Sequence, residues 1–171
     1  IANGLEFFDV KEQTGFLRTL MLRQNSKGEW MVLFQLFREE KENREKLFDF
    51  LLSEFPQIKT LVYCINSKQN DSIYDQNVET YFGDGFLMEE MDGLKFKIGP
   101  KSFFQTNYKQ ALELYRKTLE FADLKGDEVV YDLYTGTGTI AQYVARNAKQ
   151  VIGIESVQEA INAAKEHAEL N

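Results

Sequence analysis

Cysteine is almost absent from this sequence. Cys64 stands alone among 171 residues, which excludes an internal disulfide framework and any cysteine-rich zinc or iron–sulfur site in the chain. Histidine is equally scarce: His167 is the single one, so no histidine-based metal centre is expected. Only two prolines occur, against a disordered or collagen-like chain. No apolar run approaches the ~18–20 residues of a membrane span, and the N-terminus lacks a basic-then-apolar signal segment. The natural reading is a soluble protein in a reducing, cytoplasmic setting. Positive charge is also short. Twenty Lys/Arg face 27 Asp/Glu, a net charge of −7. Residues 1–99 carry 12 basic against 17 acidic groups, and residues 100–171 carry 8 against 10. Neither half is the basic patch that phosphate contacts require, so an RNA or DNA partner would need positive charge from elsewhere. What the chain does hold is globular: 43% hydrophobic and 27% charged residues, enough for one ordinary domain or two small ones.

The first half reads as strands with one helix. Gly15 to Arg23 and Glu29 to Phe37 are strand-like runs separated by Asn25-Ser26-Lys27-Gly28, a hairpin-loop sequence. Trp30, Val32, Phe34 and Leu36 alternate with Met31, Leu33, Gln35 and Phe37, which predicts a strand covered on both faces. Lys41 to Phe55 places Leu47, Leu51 and Phe55 at helical spacing beside Phe48 and Leu52, and Pro56 stops it. Lys59 to Asn66 is a buried-looking strand, Asn66 to Asn77 a polar loop or short hairpin. Phe86 to Glu90 and Leu94 to Ile98 flank a tight turn at Met91-Asp92-Gly93. The expectation for residues 1–98 is an α+β domain on an antiparallel sheet.

The character changes at Gly99-Pro100. An amphipathic helix runs from Asn107 to about Ala122, capped by Thr106 or Asn107. Then come the strand Glu128–Leu133, a glycine turn from Tyr134 to Thr139, and a helix to about Ala148. The strand Gln150–Ile154 ends at Glu155, and a helix follows from about Val157 to Leu170. That order opens a doubly wound parallel sheet, so the fold class is α/β with a Rossmann-like domain in residues 99–171. Two parallel strands do not make a stable two-sided sheet by themselves. The reading is therefore a piece of a longer protein, its nucleotide-binding domain incomplete.

The most informative stretch is Asp132-Leu-Tyr-Thr-Gly-Thr-Gly-Thr139 with Glu155 at the end of the next strand. Glycines 136 and 138 let backbone approach a ligand, and a helix N-terminus behind them presents free N–H groups. A carboxylate at the second strand end can accept hydrogen bonds from ribose hydroxyls. Three readings stay open. Asp132-x-x-x-Gly136-x-Gly138 is the pattern of S-adenosylmethionine sites, where an acid beside a cationic ligand is favourable. Gly136-x-Gly138-x-x-Ala141 formally satisfies a dinucleotide pattern, although a diphosphate would be repelled by Asp132. The third is a purely structural turn. Cys64, inside an apolar run, reads as a packed core thiol, and His167, between Glu166 and Glu169, as part of a solvated helix face.

Together with Lys101-Ser-Phe-Phe-Gln-Thr-Asn107 ahead of the helix and Val151-Ile-Gly-Ile-Glu155 after it, this stretch resembles the RNA (uracil-5-)-methyltransferase family, which makes 5-methyluridine in 23S rRNA and tRNA. The strong match covers about residues 98–171; residues 1–97 would correspond to the family's central domain. The resemblance implies a class I S-adenosylmethionine-dependent methyltransferase domain, with Gln105 on the cofactor, Tyr134, Gly136 and Thr139 lining its pocket, and Glu155 on the ribose. One departure is Thr135, where many relatives carry Cys. The family's nucleophilic cysteine and general base would lie beyond Asn171, so the chain alone is expected to hold no catalytic residue and to be inactive. RNA is the implied partner, rRNA ahead of tRNA. The competing readings are an NAD-linked oxidoreductase and a non-catalytic RNA-binding or assembly module.

Overall fold

A computed structural model describes residues 4–171. These residues divide into two compact units. One comprises the described residues up to Leu87 with Gly99–Lys101, the other Met88–Ile98 with Ser102–Asn171.

The first unit is a four-stranded sheet in the order β1 (Leu17–Gln24), β2 (Trp30–Leu36), β3 (Ile58–Ile65), β4 (Glu79–Phe82). Helix α1 (Lys41–Glu54) connects β2 to β3. The expected antiparallel pairing holds for β1 with β2 and for β3 with β4. β2 and β3 run parallel, because α1 carries the chain back across the sheet before β3 begins. β2 is covered on both faces, as its double alternation requires. Val32, Phe34 and Leu36 join Phe16, Phe48, Leu61 and Tyr63 in the larger core. Leu33 packs with Val62, Cys64 and Ile73 on the other side, where Ile73 comes from the loop after β3. Phe48 of α1 is fully buried, its ring 5.2 Å from Phe34, 5.7 Å from Tyr63 and 5.0 Å from Tyr81.

The loop from Asn66 to Asn77 is polar but internally bonded. The Arg18 side chain is only 3% exposed; it donates to the carbonyls of Asn66, Lys68 and Asn70 and pairs with Asp71 at 2.8 Å. Asn66 Nδ2 donates to Gln35 Oε1 at 2.8 Å, and Gln35 Nε2 donates to the Asp71 carbonyl at 3.0 Å. Buried polar groups of this kind persist because each is satisfied.

In the second unit, β5 (Leu87–Met91) and β6 (Leu94–Ile98) form a hairpin. It turns at Asp92-Gly93, both left-handed (φ 54° and 80°), the geometry of a two-residue hairpin loop. Helix α2 (Tyr108–Ala122) is capped by the Asn107 side chain, which accepts from the Gln110 N–H at 3.2 Å. Met91, Leu94 and Phe96 of the hairpin pack with Ala111 and Tyr115 of α2 and with Tyr143. The hairpin thus sits with the second unit, whereas the composition shift at Gly99 drew the boundary after it. β7 (Val129–Leu133), α3 (Thr139–Val144), β8 (Gln150–Ile154) and α4 (Gln158–Leu170) complete the chain. β7 and β8 pair in parallel, Val129 opposite Gln150 through Leu133 opposite Ile154. α3 ends at Val144 rather than near Ala148, because the Lys149 and Gln150 N–H groups turn back to the Glu128 carbonyl to start β8. Val129, Tyr131 and Leu133 on one face of β7 are exposed, as suits a parallel pair meant to be covered on both sides.

Candidate cofactor site

The loop from Tyr134 to Gly138 links the end of β7 to the start of α3. It is anchored at its base. The Thr135 N–H donates to the Ile154 carbonyl at 3.0 Å, and its hydroxyl donates to Asp132 Oδ2 at 2.7 Å. The Gly138 N–H returns to the Thr135 carbonyl at 2.9 Å, closing a tight turn.

The glycines have separate tasks. Gly136 (φ 57°) has open space where a side chain would begin, so ligand can approach its backbone directly. At Gly138 (φ 77°) a Cβ would lie 3.1 Å from the Ala164 Cβ of α4; its bareness serves helix packing. Gly153 of β8 makes room for Thr135, whose Cγ2 would sit 2.9 Å from a Cβ there.

Glu155 closes the other side. Its Oε2 accepts the Gly136 N–H at 3.0 Å, and its Oε1 accepts those of Ser156 at 2.7 Å and Val157 at 2.9 Å. The backbone N–H groups of Val157, Ser156 and Gly136 hold this carboxyl below the usual carboxylate range. A carboxylate has about four acceptor positions, and these bonds leave one on Oε2 open to a ligand.

Four of the five sequence-predicted site residues come together here. Tyr134 is 91% exposed with φ 60°; a bulky residue held in the left-handed region is strained. Thr139 opens α3, its Oγ1 3.3 Å from that of Thr137. Gln105 stands exposed on the segment before α2, and among the described residues no hydrogen bond joins it to the loop.

His167 overturns its reading as a solvated residue: it is 1% exposed. Nδ1 lies 2.7 Å from the Thr137 carbonyl, Nε2 2.9 Å from the Lys97 N–H, and the ring meets Phe96 edge-on at 5.3 Å. The neighbouring glutamates suggested solvent. The better signal was helical phase, since Ala160, Ala164, His167 and Asn171 recur at spacings of four and three along one side of α4.

A parallel strand–helix–strand unit, with a glycine loop after its first strand and an acid ending its second, is the nucleotide-binding opening of a Rossmann-like fold, the class to which S-adenosylmethionine-dependent methyltransferases belong. No protein-family model matches the chain. Curated relatives do: uncharacterized RNA methyltransferases of Porphyromonas gingivalis, 56% identical over 165 residues, and Bacteroides thetaiotaomicron, 51% identical over 168. Each match covers 96% of this chain but only 36% and 37% of the relative. The chain therefore spans little more than a third of their length. Among solved structures, the tRNA (uracil-54, C5)-methyltransferase of Pyrococcus abyssi in complex with S-adenosyl-L-homocysteine is 30% identical. It superposes with a TM-score of 0.80 over 99% of this chain and 41% of that one. Over nearly its whole length the chain is similar in sequence to these RNA methyltransferases.

Proposed function

We propose that this chain is part of an S-adenosylmethionine-dependent methyltransferase acting on C5 of a uridine in RNA, and that it carries the central domain and the first part of the cofactor domain. The observation that carries the reading is the pairing of Gly136, open on its ligand side, with Glu155, whose Oε2 bonds the same residue's N–H and keeps one acceptor position free. Glu155 would hold the ribose: one hydroxyl takes the open position, and a second displaces a backbone N–H. The strained, exposed Tyr134 and the helix-opening Thr139 would flank the ligand, with Asp132 below the loop favouring a cationic over a diphosphate group. Gln105 would reach the site from the segment before α2. The bound cofactor supplies an electrophilic methyl group.

C5 of uracil becomes nucleophilic only after a thiolate adds to C6, and a base must then remove the C5 proton. Cys64 is not that thiolate. It is buried in β3, and burial pushes its thiol up from the ordinary range. This reading assigns the nucleophile and base to the remainder of the longer protein, and rRNA is its preferred substrate over tRNA. Calorimetric titration of the full-length protein with S-adenosylhomocysteine and with NAD tests the cofactor; preference for NAD would sink the reading. RNA containing 5-fluorouridine tests the chemistry, since an enzyme of this type traps itself covalently on that base. A full-length protein that forms no adduct, or forms it on Cys64, would contradict the proposal.

A further inference from the structure

His167 is a buried titratable side chain that reaches the glycine loop from outside it. Two residues of α4, at positions 164 and 167, and its C-cap Asn171 face the loop and the β6 strand. Ala164 lies beneath Gly138. The Asn171 side chain pairs with both the N–H and the carbonyl of Lys95 (2.8 and 3.0 Å), and His167 Nε2 accepts the Lys97 N–H at 2.9 Å. Lys95 and Lys97 are alternate residues, so these groups point to the same edge of β6. The two side chains take the place of a neighbouring strand there. His167 does more. An Nε2 that accepts from Lys97 requires the proton on Nδ1, which then donates to the Thr137 carbonyl at 2.7 Å. Nε2 also lies 3.2 Å from the Lys97 carbonyl; a carbonyl only accepts, so the Nδ1–H bond to Thr137 is common to either arrangement at Lys97, and one imidazole ties the loop to the hairpin.

We propose that His167 is a positioning residue for the cofactor loop: its Nδ1–H bond to Thr137 fixes the curvature that leaves Gly136 open. This inference rests on the assignment of that loop to S-adenosylmethionine. Two conservative variants separate the two ends of the ring. In His167→Asn the amide nitrogen occupies the place of Nδ1 and can still donate to Thr137, but nothing reaches Lys97. In His167→Gln the side-chain oxygen occupies the place of Nε2 and can still accept from Lys97, but the loop bond is lost. Each removes one buried hydrogen bond, so a merely structural residue would respond alike to both. The full-length protein and both variants are titrated with S-adenosylhomocysteine, and exchange of the backbone amides of residues 134–140 is followed by mass spectrometry without ligand. The expected result is affinity within about threefold of the parent for His167→Asn and at least about tenfold weaker for His167→Gln, with faster loop exchange in the Gln variant alone. Equal loss in the two variants, or none in either, would overturn the proposal. Should the parent protein bind no S-adenosylhomocysteine, the cofactor reading fails by itself, and the exchange comparison still decides whether His167 holds the loop.

Discussion

The division of labour between Gly136 and Gly138 makes a quantitative expectation. Alanine at either position enters the left-handed region (φ 57° and 77°), a cost of roughly 1–2 kcal/mol for a residue with a Cβ. At Gly136 nothing else is added, because the space ahead of the missing Cβ is empty. At Gly138 the new methyl stands 3.1 Å from the Ala164 Cβ and 3.4 Å from its Cα. Optimal carbon separation is about 3.5–4.0 Å, so α4 must shift by a few tenths of an ångström. Overpacking of that kind costs about 1–3 kcal/mol more. Gly138→Ala should therefore lose about 2–5 kcal/mol in urea unfolding and Gly136→Ala only about 1–2 kcal/mol. Binding should show the reverse order. The methyl at 136 projects into the space assigned to ligand, so S-adenosylhomocysteine affinity falls further in Gly136→Ala than in Gly138→Ala. Equal destabilisation by the two substitutions, or the greater loss of affinity at 138, would refute the assignment of one glycine to the ligand and the other to helix packing.

Three further outcomes follow from the first unit and the site. Phe48→Ala empties the centre of the larger core and should cost about 3–5 kcal/mol of unfolding free energy; a loss below ~1 kcal/mol would mean that α1 does not dock as described. Burial and a 2.5 Å hydrogen bond to Glu79 push the Tyr63 hydroxyl up to about 12, and the hydrogen bond to Asp49, with burial, pushes Tyr81 up to about 12. The neutral phenols are the folded form, so their contribution is fully present below pH ~10 and lost as pH rises from about 10 to about 12. A Tyr63→Phe, Tyr81→Phe double variant should show a flatter loss of melting temperature over that window, and an unchanged slope would count against it. Glu155→Gln keeps the side-chain size but removes the charge; S-adenosylhomocysteine binding should weaken about tenfold, while Glu159→Gln should change it little.

Legibility in the sequence tracked how local the cause was. Hairpins, α1, α2 and the strand–turn–helix run around the glycines follow from turn residues, caps and apolar period, all within a few residues. β4 was not anticipated because its four residues alternate too briefly to stand out, and its place is set by β3, to which it bonds across a long loop. The direction of β3 is likewise nonlocal. A helix between two strands permits a parallel crossover, yet the surrounding hairpins suggested an antiparallel sheet throughout. The β5–β6 hairpin joins the second unit through Phe96, Tyr115 and Tyr143, residues far apart in the chain. The spacing of Glu155 from the glycines made their adjacency legible, and Glu155 does bond the Gly136 N–H. The burial of His167 was legible only in the phase of α4, and its partners were not legible at all, because they are backbone groups of Lys97 and Thr137, seventy and thirty residues away, and backbone groups leave no mark in a sequence.

The acidic balance bears on how an RNA would be engaged. All six arginines of the chain are committed within the protein. Arg18 and Arg23 donate to loop carbonyls. Arg38 bonds Glu40, Glu6 and the Gly15 carbonyl, and Arg44 bonds Glu39 beneath the Tyr63 ring. Arg116 pairs with Asp92 and Glu113, and Arg146 donates to the Asp92 carbonyl. Arginine is the side chain best shaped for phosphate, so its internal use leaves this stretch of the protein with lysines for backbone contacts, against a net charge of −7. Under the proposed function, most phosphate contacts then come from the remainder of the longer protein. The half-exposed Arg38 and Arg116 provide the test. Each phosphate contact to single-stranded RNA adds about −0.7 to the slope of log affinity against log salt. Replacing both by Gln in the full-length protein should leave that slope unchanged, since carboxylate partners hold both guanidiniums. A slope shallower by about 1.4, two contacts' worth, would show that they reach phosphate and that their carboxylate partners give way to it.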